Sequence, residues 1–174
     1  RQGWPAYAGS RLVRLYTRLV STTARRAQVV LTDSRASAED IAGHLGIPAG
    51  RTRVIPLAAG DGYAPVPDGE ALEGVRRRYG LPATYILYLG GFDERKNVPR
   101  LIEAYAGLLA ERPDAPALVV AGRLPESGGR LFCDPQSEVR ARGIDSHVYF
   151  PGFVAEADKP ALYAGAICFV FPSL

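Results

Sequence analysis

The 174-residue sequence has no methionine, two cysteines, two histidines and one tryptophan. Cys133 and Cys168 are too few for a disulfide framework and fit a reducing compartment. The histidines, His44 and His147, have no neighbours at metal-ligand spacing, so we expect no bound metal. No apolar run approaches the ~20 residues of a membrane-spanning helix, and no secretory leader is recognisable. These absences predict a cytoplasmic protein.

Two common nucleotide-binding motifs are also missing. The sequence contains neither the G-x-G-x-x-G fingerprint of dinucleotide-binding folds nor a G-x-x-x-x-G-K-[ST] phosphate loop. Their absence argues against NAD enzymes and P-loop ATPases. With 47% hydrophobic and 22% charged residues, the composition is that of a globular protein. Arg1 and Leu174 both interrupt recognisable patterns, so we expect both ends to be cut.

Charge is distributed unevenly along the chain. Residues 1–56 hold nine arginines and three acids, whereas residues 57–174 hold twelve basic and fifteen acidic residues. Periodicity from about Ala6 to Ala27 predicts an amphipathic first helix whose arginines lie largely off the apolar stripe. This face suits peripheral contact with an anionic membrane, but a helix packed on a sheet with its arginines in water is favoured. Without interleaved exposed aromatics, we expect no nucleic-acid partner.

Apolar runs alternate with helical patterns along the rest of the chain. The runs predict strands at 28–32, 53–57, 85–89, 117–121, 148–150 and 167–171. Since the later strands are apolar throughout, they predict a doubly wound parallel sheet buried on both faces, an α/β fold. The Gly- and Pro-rich stretch between the second and third strands predicts a linker. We therefore predict two domains, 1–57 and 68–174, joined by a linker at 58–67.

Ligands of open parallel sheets bind outside the carboxyl ends of the strands. The first strand of the second domain runs into Gly90-Gly91, followed by Arg95, Lys96 and a helix. Glycines permit close backbone approach, and two cations beside a helix N-terminus suit a phosphate or diphosphate. The alternative is a solvated turn in which the two preceding acids neutralise the cations.

The other strand ends carry weaker candidates. Arg123 follows the second strand and would reach a phosphate or simply lie at the surface. Gly152-Phe153-Val154 follows the third strand and would hold a flat base by stacking and main-chain hydrogen bonds, or form a plain turn. Pro172-Ser173 follows the fourth strand and points at the same crevice.

Several of these strings occur in an order that is typical of one family. They are YLGGFDERKN at 88–97, VVAG at 119–122, VYFPGFV at 148–154, LYAGA at 162–166 and FVFPS at 169–173. Together they resemble the retaining family 4 glycosyltransferases of the GT-B fold. The strings AQVVLTDS at 27–34 and VIPL at 54–57 are similar to the last strands of that family's N-terminal domain. The resemblance implies two Rossmann-like domains, both truncated in this chain.

The resemblance also implies a function. A hexose, mannose or glucose, would pass with retention from a UDP- or GDP-linked donor to a glycan, lipid-linked or small-molecule acceptor, with no cofactor. The second domain would bind the donor and the first the acceptor. Arg95 and Lys96 would neutralise the diphosphate, and Glu156 or Asp158 would touch base or ribose. The implied donor-site residues are Gly90, Gly91, Arg95 and Lys96 at the diphosphate, Gly152, Phe153, Val154 and Asp158 at the base or ribose, and Arg123, Pro172 and Ser173 elsewhere in the cleft.

The sequence departs from the family pattern in two respects. Many members have an arginine where this chain has Gly91, so the cationic clamp would rest on Arg95 and Lys96. The family's spaced glutamates would follow Leu174, and its glycine-rich N-terminal loop would precede Arg1. We therefore assign no catalytic residue and expect the chain alone not to transfer sugar. The alternative is a non-catalytic nucleotide- or partner-binding domain that kept the fold.

Overall fold

The computed structural model describes residues 11–63, 69–125 and 132–174. The chain divides into two compact units, residues 1–60 (unit 1) and 61–174 (unit 2). The division falls within the predicted linker, whose residues 64–67 lie outside the described residues, as do residues 6–10 of the predicted first helix. None of the helices in the described ranges is long and apolar enough to cross a membrane.

The described residues of unit 1, 11–60, form two α-helices and two short parallel strands. In chain order they are α1 (Arg11–Arg26), β1 (Val30–Thr32), α2 (Arg35–Leu45) and β2 (Thr52–Val54). The helix α2 begins at Arg35, because the Ser34 side chain caps it by accepting the Ser37 N–H at 3.1 Å. The helix ends before Gly46, whose φ of 64° favours glycine.

The second strand of unit 1 is shorter than its apolar run. We predicted residues 53–57, but the ladder ends at Val54. The Ile55 N–H makes one further bond to the Thr32 carbonyl at 2.8 Å, and the chain then leaves the sheet. Apolar residues therefore extend beyond the paired backbone, which the hydrophobic pattern alone does not reveal.

Unit 2 is a four-stranded parallel sheet with helices on both faces. Its elements are α3 (Gly69–Tyr79), β3 (Tyr85–Leu89), α4 (Val98–Glu111), β4 (Ala117–Ala121), α5 (Pro135–Ala141), β5 (Val148–Gly152), α6 (Lys159–Ala164) and β6 (Ala166–Phe169). The strand order is β5-β4-β3-β6. The chain moves outward from β3 to β5 and then returns to the other side of β3, so the topological switch point lies between β3 and β6. This confirms the predicted doubly wound α/β fold.

Alternate side chains of β3 and β4 fill two separate cores. Tyr88, Leu118 and Val120 pack with α4 and α5, whereas Leu87 and Val119 pack with α3 and α6. All five are fully buried. The continuous apolar runs at 85–89 and 117–121 thus reflect a sheet that is covered on both faces, as predicted.

Two strands of unit 2 differ from their predicted bounds: β5, predicted at 148–150, extends to Gly152, and β6 ends early. The fourth strand was predicted at 167–171 but ends at Phe169; the Val170 N–H still bonds to the Leu87 carbonyl at 2.8 Å, and Pro172 has no N–H to continue. The helix α5 begins at Pro135, because Asp134 caps it by accepting backbone N–H groups of the first turn.

Candidate functional site

Glycines tie together the carboxyl ends of three neighbouring strands. The Gly90 N–H donates to the Ala121 carbonyl at 3.1 Å, and the Gly122 N–H donates to the Gly152 carbonyl at 2.8 Å. Gly122 has a φ of 145°, and a Cβ there would lie 2.0 Å from the Gly90 carbonyl oxygen. Only glycine allows this approach, so these residues bring the ends of β3, β4 and β5 into one crevice.

The crevice holds a cavity of about 450 Å³, within the range of small-molecule sites, roughly 300–1,000 Å³. It is lined by Tyr63, Leu89, Gly90, Gly91, Gly122, Arg123, Phe153, Val154, Lys159 and Tyr163. Five of these ten residues are sequence candidates: Gly90, Gly91, Arg123, Phe153 and Val154. The structure brings them together from the ends of three strands.

The Gly90-Gly91 turn is shaped by a buried tyrosine. The Tyr88 hydroxyl donates to the Gly91 carbonyl at 2.5 Å, and a Cβ on Gly90 would lie 2.8 Å from that hydroxyl. Burial raises the pKa of Tyr88, so the hydroxyl stays protonated and remains a donor at neutral pH. Since the Gly90 N–H is already bonded to Ala121, Gly90 serves close packing, and it offers no backbone donor to a ligand.

The predicted diphosphate cations lie beside the cavity and do not line it. Arg95 and Lys96 belong to a 3₁₀ turn at Glu94–Lys96, between β3 and α4. The Arg95 Nε donates to Asp93 Oδ1 at 2.8 Å, so the neutralising pairing considered as an alternative exists for this residue. The Lys96 Nζ stands 4.5 Å from the centre of the Phe171 ring, and no carboxylate in the described part of the chain pairs with it.

The segment after β6 lies against the same turn. The Asn97 Nδ2 donates to the Pro172 carbonyl at 3.3 Å, and the Leu174 N–H donates to the Arg95 carbonyl at 3.0 Å. Pro172 and Ser173 are therefore neighbours of the predicted diphosphate loop, as the topology of β3 and β6 requires. They do not line the cavity.

The ends of β4 and β5 bring a cation against an aromatic ring. The Arg123 guanidinium lies over the Phe153 ring, 5.5 Å from its centre, and both side chains line the cavity. Gly152, at the end of β5 and directly before Phe153, adopts a φ of 75°. A charged planar group and an exposed ring thus stand on one wall of the crevice.

Asp158 lies in a different environment from the one predicted for a nucleotide contact. Its carboxylate is nearly buried and accepts hydrogen bonds from Arg78 at 2.6 and 2.7 Å and from the Tyr79 hydroxyl at 2.7 Å. The bond from Tyr79, followed by those from Arg78, holds the pKa of Asp158 below its usual range. The Tyr79 hydroxyl also accepts the Ala155 N–H at 3.1 Å. Asp158 therefore anchors the turn after β5 to the end of α3 and does not face the cavity.

Three polar residues at the cavity form a second cluster. The Tyr63 hydroxyl donates to Glu156 Oε1 at 2.7 Å, and the Lys159 Nζ donates to Glu156 Oε2 at 2.5 Å. The bonds from Lys159 and Tyr63 lower the pKa of Glu156. Sequence reasoning considered Glu156 but missed Tyr63 and Lys159, which line the cavity. Tyr63 lies 93 positions from Glu156, a separation that no local pattern bridges.

A second, shallower recess of about 480 Å³ lies in unit 1. It is lined by Leu31, Thr32, Asp33, Ile55 and Leu57, at the carboxyl ends of β1 and β2. Across the described residues, no group of three or more His, Cys, Asp or Glu side chains is arranged to hold a metal ion.

Similarity to known proteins covers both units. The model of the glycosyl transferases group 1 family matches residues 76–174, and that of the glycosyl transferase 4-like domain matches residues 1–58. The chain is 32% identical over 151 residues to serotype-specific mannosyltransferase WbdA of Escherichia coli, covering 86% of this chain and 18% of that protein. It is 30% identical over 171 residues to O-antigen chain mannosyltransferase B of Escherichia coli, covering 97% of this chain and 43% of that protein.

The fold has a solved counterpart. The crystal structure of Anabaena Alr3699/HepE in complex with UDP matches 98% of this chain and 44% of that chain, with a TM-score of 0.74 and 21% identity. The chain thus spans less than half the length of the relatives it matches. The parallel α/β sheets match that structure over almost the whole chain, and the fold is of the GT-B type. Because the group 1 model covers more than half of the 174 residues, the chain belongs to the glycosyl transferases group 1 family.

Proposed function

We propose that this chain is part of a hexosyltransferase whose nucleotide-sugar donor binds in the crevice of unit 2. The observation that carries the proposal is the joining of the ends of β3, β4 and β5 by close glycine contacts around a cavity with cations at its edge. Mannose is the first candidate sugar, because two similar proteins are named as mannosyltransferases. Retention of anomeric configuration and a UDP- or GDP-linked donor are parts of the same proposal.

In this proposal the diphosphate binds near the Gly90-Gly91 turn. Among the described residues, neither Lys96 nor Arg123 pairs with a carboxylate, so both cations can compensate an anion without first breaking an ion pair of that part of the chain. Lys96 lies over the Phe171 ring and Arg123 over the Phe153 ring. Arg95 would have to share its charge with Asp93. Preset cations beside a leaving diphosphate stabilise the negative charge that develops in the transition state, typically by a few kcal/mol.

The nucleoside would then lie toward β5. Phe153, Val154 and Tyr163 give this part of the cavity apolar and aromatic walls, which suit a flat base. The acceptor, whether glycan, lipid-linked or small, is assigned to unit 1, where the recess lined by Leu31 and Leu57 also lies at the carboxyl ends of parallel strands.

Calorimetric titration of the 174-residue chain with UDP and GDP tests donor binding. We expect one of them to bind, and Lys96→Ala to weaken that binding by ~1–3 kcal/mol, the usual worth of a charge-assisted contact. Arg100→Ala is the matched control, because Arg100 is an exposed cation on α4 that pairs with Glu103. Equal losses in both variants would show a general charge effect, and no binding to a folded chain would reject the proposal.

A non-catalytic nucleotide-binding domain remains the second candidate, since fold does not fix chemistry. Both candidates predict binding, so the distinguishing measurement is transfer of labelled mannose or glucose by the full-length protein. Transfer with retained anomeric configuration supports the enzyme. Nucleotide binding without transfer to any glycan or lipid-linked acceptor supports the second candidate.

Contact with an anionic membrane, the less favoured of the two roles considered for the first helix, depends on α1. The helix has no acid, its stripe of Leu12, Leu15, Tyr16 and Leu19 is exposed, and two arginines occupy its last turn. Basic amphipathic helices of this composition bind anionic surfaces. Sedimentation with anionic and neutral vesicles tests the idea, and equal binding to both would remove it.

A further inference from the structure

The turn after β5 carries two acids that differ sharply in their surroundings. Asp158 is nearly buried, and both of its oxygens are occupied by Arg78 and Tyr79. The Glu156 side chain is 74% exposed and stands at the rim of the cavity, bonded to two side chains that line it, Tyr63 and Lys159. Only Glu156 is therefore available to a ligand.

The two partners fix the direction of the Glu156 carboxylate but do not use all of its hydrogen-bond acceptor positions. Tyr63 donates to one oxygen and Lys159 to the other. Each carboxylate oxygen has two acceptor positions, so each keeps one for a ligand. The Tyr63 ring also packs edge-on against the Tyr163 ring at 6.0 Å, which limits the movement of the hydroxyl that holds Glu156.

The position of Glu156 separates it from the diphosphate. Neighbouring strands of a sheet are ~4.8 Å apart, so the end of β5 lies roughly 10 Å from that of β3, two strands away, where the Gly90-Gly91 turn begins. A carboxylate would repel phosphate oxygens, whereas it accepts hydrogen bonds from N–H groups of a base or from ribose hydroxyls. Glu156 therefore faces the nucleoside part of the proposed ligand.

We propose that Glu156 is a specificity-determining residue that makes the crevice select a guanine nucleotide over a uracil nucleotide. The inference rests on the proposed function. Guanine presents two adjacent N–H donors, at N1 and N2, beside the O6 acceptor. A carboxylate next to the Lys159 ammonium matches that edge, because the carboxylate accepts both N–H groups and the ammonium donates to O6.

Uracil has no such match. It presents a single N–H between two carbonyl oxygens, and those oxygens would approach the Glu156 carboxylate without a proton between them. A site built to hydrogen-bond a particular group discriminates strongly against ligands that lack it, because its polar groups are left unpaired. The expected order of affinity is GDP, then IDP, then UDP, since the hypoxanthine of IDP lacks only the N2 amino group of guanine.

Calorimetric titrations of the chain with GDP, IDP and UDP test the order directly. Loss of one charge-assisted hydrogen bond corresponds to roughly a tenfold change in affinity, so we expect about tenfold between GDP and IDP. Glu156→Gln should lower GDP affinity about tenfold and change UDP affinity less than about twofold. Glu103→Gln is the matched control, because Glu103 forms an exposed i,i+3 pair with Arg100 on α4, as Glu156 does with Lys159.

A second variant tests the orientation of the carboxylate. Tyr63→Phe keeps the ring contact with Tyr163 and removes only the hydroxyl bonded to Glu156. We expect it to reduce GDP affinity by a smaller factor than Glu156→Gln, with no effect on UDP. Both altered side chains are exposed to solvent, so thermal unfolding should be unchanged and loss of folding would not be mistaken for loss of binding.

The remaining outcomes separate the two proposals. If Glu156→Gln weakens the binding of GDP and of UDP equally, the carboxylate contacts the ribose that both share. The specificity inference is then overturned, while the proposed function stands. Tighter binding of UDP than of GDP to the unaltered chain overturns it in the same way. If no nucleotide binds a folded chain, the proposed function and this inference both fall.

Discussion

The two units of the chain bury their apolar residues to very different extents. In unit 2 the central strand β3 has Tyr85, Leu87 and Tyr88 fully buried between helices on both faces. Across the described residues of unit 1, only Ile47 and Thr52 are buried. Leucines at the centres of β1 and β3 therefore lie in opposite environments, and the cause is the number of strands and helices around them.

A two-stranded parallel sheet cannot cover itself. Three or more strands, or packing against helices, are needed for a stable apolar core. In unit 1 the pair of β1 and β2 leaves Leu31 64% exposed, and α1 leaves Leu12 77% exposed. We infer that most of the chain's intrinsic stability resides in unit 2, which also contains the proposed donor site.

The largest expected effect on stability comes from truncating the central leucine of β3, compared with the same change in β1. Leu87→Ala in β3 should lower the free energy of unfolding by about 3–5 kcal/mol, because it leaves a cavity in a closed core. Leu31→Ala in β1 should cost less than about 0.5 kcal/mol, as at most surface positions. Denaturant unfolding followed by circular dichroism measures both. Equal losses would show that unit 1 is covered in solution.

How much the sequence predicts depends on whether the deciding contacts are local. The strands 85–89 and 117–121 were predicted with their observed bounds, because continuous apolar runs report burial on both faces. The end of β2 at Val54 was missed, since an unpaired apolar residue looks the same in sequence as a paired one.

The same reasoning applies to the candidate site. Glycines and cations at strand ends were visible, because a parallel sheet brings those ends together. The different surroundings of Glu156 and Asp158 were not visible, since they depend on Tyr63, Arg78 and Tyr79 from distant parts of the sequence.

An intermediate effect on stability is expected from adding a side chain at Gly122, where the ends of β3 and β4 approach closely. Gly122→Ala should lower stability by roughly 2–3 kcal/mol, because its Cβ would collide with the Gly90 carbonyl and its φ of 145° suits glycine. Gly107→Ala in α4, where the added Cβ meets nothing within 4 Å, should instead stabilise by ~0.5–1 kcal/mol. Thermal unfolding distinguishes the signs, and a neutral Gly122→Ala would contradict the close approach.

The smallest expected effect on stability comes from changing Asp158, which anchors the turn after β5 to the end of α3. Asp158→Asn should cost about 1–2 kcal/mol at pH 7, because it loses the charge-assisted bonds from Arg78 and Tyr79. The folded-state pKa of Asp158 is lowered, so this stabilisation is present above its unfolded pKa of about 3.9 and is lost as the pH falls through the folded value.

The difference in unfolding free energy between wild type and Asp158→Asn should therefore shrink below about pH 4. Asp114→Asn, at an exposed acid in the turn before β4, is the control for loss of a carboxylate that anchors no turn. A difference in unfolding free energy that stays constant down to pH 2 would contradict the claim that Asp158 stabilises the fold in its ionised form.

The central claim is that a nucleoside diphosphate binds at the strand ends of unit 2. Amide hydrogen exchange with and without GDP tests it most directly, because it locates the ligand along the backbone. We predict slower exchange in residues 89–97, 121–123 and 152–163, with β1 and β2 unchanged. Slower exchange confined to residues 30–57, or none in unit 2 at saturating nucleotide, would contradict the account.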